Sequence, residues 1–332
     1  MSIEDIEVAV NASQPLNFSR HPLEAPELTL QQRFYPMGFP VDVRTNSSLI
    51  LDLFRFAWRH GTPRYRTAPI AVDVHLVDSD EEECPPTPSF RMMLPVMLSV
   101  ANAENYSVLD TERGTTQVVV SMAALRHPLY INYFFIESAA ACHIVTRYAA
   151  PVHAGCVEWN GKGILLCGDS GAGKSTLSYA CARAGFGYIS DDATFLLRNG
   201  EDRVAIGDSH KVRLRPESVR FFPEMEGIGI TPRAAGKPSV EIPTGDDIVG
   251  LEETRVDLLV FLNRRSGKQE LLPYSSDVAR EFMRQVIFGL PDQQEWQYRK
   301  IDALLQAPVY ELHYQDLDWA IARLKLLAQD GR

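Results

Sequence analysis

Positive charge, paired cysteines and long apolar runs are what this sequence has least of. Against 43 Asp and Glu there are 33 Lys and Arg, a formal net charge of −10 over 332 residues. Non-specific nucleic-acid binding needs dense positive charge to displace counterions, so no nucleic-acid partner is expected. The five cysteines (Cys84, Cys142, Cys156, Cys167 and Cys181) are odd in number and none falls in a CxxC pair. That spacing argues against zinc and points to reduced core thiols in a cytoplasmic protein. No apolar run reaches the roughly 18 residues of a membrane helix. The opening MSIEDIEVAV lacks a charged-then-apolar signal pattern, so no membrane partner is expected either. Internal repeats and low-complexity blocks are also missing.

What is present is a chain with 45% hydrophobic residues, enough to build an ample core. Residues 1–27 are polar and proline-dotted and are expected to form a loosely attached arm. LTLQQRFYPMGFPVDVRTNS predicts two strands around a Pro-Met-Gly turn. Asn46 or Ser47 is placed to cap a helix over residues 48–60. Strands are expected over PIAVDVHLVD, around Arg91–Val100, over Tyr106–Leu109 and over Thr116–Met122. DSDEEECPPTP reads as a charged, solvated loop. PLYINYFFIESAAACHIVTRYA reads as a long, mostly buried helix leading into a second region. Residues 28–149 are thus expected to be a sheet-rich region serving substrate or partner recognition, and 150–332 a second domain.

Within that domain, Gly168-Asp169-Ser170-Gly171-Ala172-Gly173-Lys174-Ser175 fits the spacing of a phosphate-binding loop. The glycines let backbone N–H groups converge on phosphate oxygens. Lys174 brings a positive charge to the β and γ phosphates, Ser175 a hydroxyl for Mg2+, and the following helix directs its N-terminal dipole at the same anion. GILLC before the loop reads as a buried strand, and Ser175–Ala184 after it as a helix ended by Gly185. APVHAGCVEWNGKGILLC reads as a hairpin turning at NGKG, with His153 at the start of its first strand. A lone histidine there is more often structural than functional. FGYISDDATFLLRNG carries Asp191 and Asp192 between two strands. Adjacent carboxylates in such a setting call for a partner, and beside a phosphate loop a divalent cation is one.

HAGCVEWNGKGILLCGDSGAGKST followed by GYISDD resembles the catalytic domain of bacterial HPr kinase/phosphorylases. The resemblance is close over residues 150–200 and loose elsewhere. It implies an α/β fold like that of phosphoenolpyruvate carboxykinase, with a mixed rather than parallel sheet around the loop. It implies ATP (or another nucleoside triphosphate) and Mg2+ as cofactors. Gly168, Gly171, Gly173 and Lys174 would hold the β and γ phosphates. Ser175 would bind the metal with Thr176 close by, Asp191 would take the proton of the attacking hydroxyl, Asp192 would lie nearer the metal, and His153 would match the family's active-site histidine. The family's oligomers make homo-oligomeric assembly a further implication. The glycine-rich segment that the family carries beyond its aspartate pair has no match here, and the front half differs. HPr as the substrate is therefore doubtful, and the chain looks more like the HPr-kinase-related group that includes peptide-tailoring kinases of lasso-peptide pathways and free-serine kinases.

Three cationic sites remain. Arg213 and Arg215 alternate on a strand and are placed to clamp a phosphate or an anionic substrate, or else form an exposed basic strand. Lys237 lies in a glycine-containing loop that could close over a nucleotide. Arg264 and Arg265 follow the buried strand RVDLLVFLNRR, at the end of the strand where α/β proteins bind ligands, though a solvated turn is the plainer expectation. The tail reads as helices and one strand of core packing, with no chemistry. The leading expectation is a kinase that phosphorylates a serine of a peptide or protein. The alternatives are a kinase for a small hydroxyl metabolite, such as free serine or a sugar, and a nucleotide-binding regulator without turnover.

Overall fold

The computed structural model describes residues 8, 27–231, 238–245 and 247–330. The arm expected over residues 1–27 falls, apart from Val8 and Glu27, outside the described residues, as does Lys237. The chain divides into two compact units, the first taking in residues up to Ile144 together with Thr231, and the second Val145–Ile230 and Pro238 onward, so that one boundary falls within the strand Ile230–Thr231.

The first unit is built on seven strands: β1 (Leu30–Phe34), β2 (Val41–Thr45), β3 (Ile70–Val77), β4 (Ser89–Met93), β5 (Val96–Asn102), β6 (Asn105–Asp110) and β7 (Thr115–Ser121), in the spatial order β1-β2-β3-β7-β6-β5-β4. Strict alternation sets its faces. Val41, Val43, Ile70, Val72 and Val74 are buried, and helix α1 (Ser48–Ala57) buries Ile50, Leu51 and Phe54. On the other face charges pair across strands, as in Arg33–Asp42 at 2.6 Å. The strand expected over Arg91–Val100 is two strands of a hairpin, because the Leu94-Pro95 step takes the chain out of the ladder between β4 and β5. Nor does a side chain cap α1. Ser47 sits at the cap position without bonding the helix, and the Asn46 amide is turned to the backbone of Leu76, donating and accepting at 2.9 Å each way. The long buried helix is present as a helical run from Pro128, ending in α2 (Glu137–Arg147).

The second unit has strands β8 (Ala149–Val152), β9 (Ala154–Trp159), β10 (Lys162–Cys167), β11 (Gly187–Ser190), β12 (Thr194–Leu197), β13 (Val204–Ile206), β14 (Lys211–Leu214), β15 (Ile230–Thr231), β16 (Ser239–Pro243), β17 (Glu253–Asn263), β18 (Glu270–Pro273) and β19 (Val309–His313). Its main sheet runs β11-β9-β10-β17-β13-β12-β8, with β19 also paired to β17 and β18 to β19. The sheet is mixed, as expected: β10–β17 and β17–β19 are parallel, whereas β9–β10, β9–β11 and β13–β17 are antiparallel. Helices α3 (Lys174–Arg183), α4 (Ser276–Arg284), α5 (Pro291–Leu304) and α6 (Leu317–Asp330) complete the unit.

A central strand covered on both faces has no polar side, which is why GILLC is an unbroken apolar run. Ile164 and Leu166 pack into one cluster with Leu177, Leu324 and Leu327, while Leu165 and Cys167 pack into another with Met283, Ile301 and Leu304. No helix among the described residues is long and apolar enough to cross a membrane.

Candidate functional site

The strand register gathers the site. Cys167, at the end of β10, pairs with Ala154, at the start of β9, and Ser190, at the end of β11, pairs with Cys156. The glycine loop after β10, His153 before β9 and Asp191-Asp192 after β11 therefore share one end of the sheet.

The loop turns through positive φ at Gly168 (143°), Gly171 (90°) and Gly173 (104°), conformations that side-chain-bearing residues rarely adopt. At Gly171 a Cβ would meet nothing within 4 Å, so the demand there is conformational rather than spatial. Gly173 is the N-cap of α3, and Ser175 and Thr176 sit half-buried on that helix's first turn, where backbone N–H groups have no intrahelical acceptor. A glycine-lined turn running into the first turn of a helix, with its unpaired amides, is the setting of an anion site.

Lys174 is only 4% exposed, and its ammonium is the hub of the site. Nζ donates to the carbonyl oxygens of Gly168 at 2.8 Å and Asp169 at 3.3 Å, and lies 3.2 Å from Asp192 Oδ1. It is also 3.0 Å from His153 Nε2. An ammonium has no acceptor to offer, so Nε2 accepts and the imidazole carries its proton on Nδ1. Nδ1 faces Asp192 Oδ1 at 3.6 Å. The structure thus joins His153, Lys174 and Asp192.

Asp191 is half-buried beside this cluster, its Oδ2 accepting the backbone N–H of Arg213 at 3.1 Å. Burial and the like charge of Asp192 push its carboxyl up to about 6, against the opposing pull of Arg213. The turn that carries the two carboxylates is pinned from both ends. The buried hydroxyls of Ser190 and Thr194 bond each other at 2.6 Å, and Thr194 Oγ1 donates to the Ala154 carbonyl at 2.8 Å. Gly155 makes room: a Cβ there would collide with Ser178 Oγ of α3 and lie 2.8 Å from the Asp191 carbonyl oxygen.

The two arginines of β14 and its end differ. Arg215 reaches the loop, donating from Nη2 to Ser170 Oγ at 3.3 Å. The Arg213 guanidinium turns instead toward Glu241, with Nε 3.5 Å from Oε2, so the pair is not a symmetric clamp. Ser190, Thr194 and Gly155 were not singled out from sequence. The signal was there in SDDAT, two hydroxyls bracketing two acids, but its meaning depends on Ala154 lying next to it. Among the described residues no group of three or more His, Cys, Asp or Glu side chains forms a metal cage.

No family model matches the chain. It is 37% identical over 79 residues to the HPr kinase/phosphorylase of Caldanaerobacter subterraneus subsp. tengcongensis, a stretch covering 24% of each chain. With the HPr kinase/phosphorylase of Alkaliphilus metalliredigens it shares 29% identity over 160 residues, 47% of this chain and 44% of that one. It therefore spans between a quarter and a half of the length of these relatives. The HPr(Ser) kinase/phosphatase structure from Coxiella burnetii overlaps 55% of this chain and 99% of that one at 14% identity, with a TM-score of 0.28, too low to equate the folds. Over the stretches matched in sequence, the chain is related to the HPr kinase/phosphorylases.

Proposed function

We propose that this protein is an ATP- and Mg-dependent kinase that transfers the γ-phosphoryl group to a hydroxyl, that of a serine in a peptide or protein. The observation that carries the reading is Asp191. It is a half-buried carboxyl raised to about 6, held at the end of β11 beside an anion-binding loop. A carboxyl tuned toward neutrality is suited to accept a proton from an attacking hydroxyl.

The residues fit the nucleotide and its metal. The loop amides and Lys174 provide positive potential, and Arg215 adds a guanidinium on the side of Ser170. Magnesium is typically held by one or two carboxylates together with phosphate oxygens, so Asp192 and Ser175 suffice without a protein cage. Bound nucleotide supplies the phosphoryl group, and the cation neutralises its charge. The chain's own residues do the rest. Lys174, which contacts two loop carbonyls and Asp192, would hold the phosphate oxygens. His153 faces Asp192 across 3.6 Å between Nδ1 and Oδ1, and Asp191 receives the proton of the acceptor.

We assign recognition of the acceptor to residues 28–149, which contain none of the loop chemistry. The relatives are named for HPr, the protein they act on. For this chain the acceptor class is a serine hydroxyl.

The test is incubation with γ-labelled ATP, Mg2+ and serine-containing peptides or proteins, with Asp191→Asn in parallel. Label should move to the acceptor with the unaltered chain only, while both proteins bind nucleotide. Transfer to a metabolite alone would overturn the peptide assignment, and binding without any transfer would overturn the kinase reading.

A further inference from the structure

The loop has two flanks, and the second carries its own side chains. On the β9 side lie His153, Asp191 and Asp192. On the β17 side the chain leaves the sheet at Asn263, and Arg264 folds back against the loop. A Cβ built on Gly173 would lie 3.2 Å from Arg264 Cδ and 3.6 Å from its Nη1. Next to β17, strand β19 ends at His313, and the hydroxyl of Tyr314 would lie 2.7 Å from the same point.

Tyr314 is 1% exposed, and its hydroxyl has no hydrogen-bond partner among the described residues. Burial pushes it up to about 12, with Arg264 pulling the other way. The Arg264 guanidinium carbon is 5.7 Å from the Tyr314 ring centroid. Arg264 is half-buried, yet no hydrogen bond or ion pair holds it among the described residues. A guanidinium kept beside an anion cradle on an aromatic platform, with no acid to neutralise it, is an anion contact waiting for its anion.

We propose that Arg264 binds the nucleotide through its non-transferred phosphates, and that Tyr314 positions it. This rests on the phosphotransfer reading. With Asp191 on the β9 flank, the acceptor and the γ-phosphoryl group face that side. The α and β phosphates then run over the β17 flank, within reach of Arg264. Tyr314 supports the guanidinium with its ring and sets its hydroxyl against Gly173.

Calorimetric titration of the full chain with ADP and with ATP, both with Mg2+, tests this. Arg264→Ala should weaken both nucleotides by about tenfold or more, the loss of a charge-assisted contact. The acceptor KM should stay unchanged. Should the alanine variant melt early without nucleotide, Arg264→Lys carries the test. It keeps the charge but loses the planar fork, and a weakening of about threefold or more for both nucleotides supports the assignment. Unchanged ADP affinity in either variant overturns it, including the case where only ATP weakens, which would put Arg264 on the transferred group. Tyr314→Leu, which removes the ring, should weaken ADP in the unaltered background and add nothing in the Arg264→Ala background. Additive losses overturn the positioning role. If the unaltered chain binds neither nucleotide, the phosphotransfer reading falls and this inference with it. If the unaltered chain binds and Arg264→Ala binds equally, this inference falls alone.

Discussion

Replacing Asp191 by Asn should stabilise the nucleotide-free protein at neutral pH while abolishing transfer. The carboxyl is raised from its ordinary 3.8 to about 6 in the folded chain, chiefly by burial and then by Asp192. Its folded value therefore lies above its unfolded one. Below about 4 the group is protonated in both states and opposes nothing. Between about 4 and 6 the folded chain holds a proton that the unfolded chain has released, so stability falls as pH rises. Above about 6 the folded chain carries the ionised carboxylate at a loss of about 3 kcal/mol. Asn keeps an oxygen to accept the Arg213 N–H and has no proton to lose. The stability difference between variant and unaltered protein should thus grow by about 2.5 kcal/mol from pH 4 to pH 8, somewhat more than half of it between pH 5 and pH 8. Urea unfolding of both proteins in EDTA across that range measures it, and every other titrating group cancels in the difference to first order. A difference that stays flat with pH would refute the half-buried, raised carboxyl and remove the base from the mechanism. The same group gives kcat/KM an acid limb. Transfer should rise with pH and level off once the base is ionised.

Lys174→Met should reduce transfer by about 100-fold or more, since it removes the charge placed at the loop, and γ-label assays with binding isotherms report it. Gly155→Ala should lower stability by about 1–3 kcal/mol in urea unfolding, because its Cβ would press on Ser178 and on the Asp191 carbonyl. In the nucleotide-free protein above neutral pH, nitrogen-15 spectra should show His153 protonated on Nδ1 and bare on Nε2. The reverse tautomer would contradict the Lys174 contact at 3.0 Å.

The loop and its two neighbours were legible in the sequence because each is fixed locally. An apolar run bounded by glycines makes β10, and a small-residue helical face ended by Gly185 makes α3, whatever the rest of the chain does. The Asp191-Asp192 pair was legible only in company, since two acids in a turn mean little until a phosphate loop lies near. What brings them to the loop is the register of β9 with β11, which no local pattern encodes. Tyr314 was out of reach for a sharper reason. Its residue type and spacing are those of core packing, and it is indeed buried. Only the parallel pairing of β17 with β19 shows that its hydroxyl ends against Gly173. Lost in the same way was the break at Pro95, where a run that alternates like one strand contains a residue unable to donate to the ladder.

The mixed character of the sheet is itself part of the chemistry. Asn160 and Gly161 both take positive φ, 50° and 77°, which is the tight turn that sends β10 straight back along β9. A hairpin of that kind places the start of β9 next to the end of β10, so the residue just before β9 is delivered to the loop. In a parallel pair, the start of the neighbouring strand would lie at the opposite end of the sheet from the loop. His153 can meet Lys174 because β9 is antiparallel to β10, and Arg264 can meet Gly173 because β17 is parallel to it. One antiparallel and one parallel neighbour therefore give the loop two chemically different flanks. The flank entered from the start of β9 and the end of β11 gathers the acids and the imidazole. The flank entered from the ends of β17 and β19 gathers a cation and an aromatic ring. That asymmetry suits the phosphoryl transfer proposed for this site, since acceptor and donor approach the phosphorus from opposite sides.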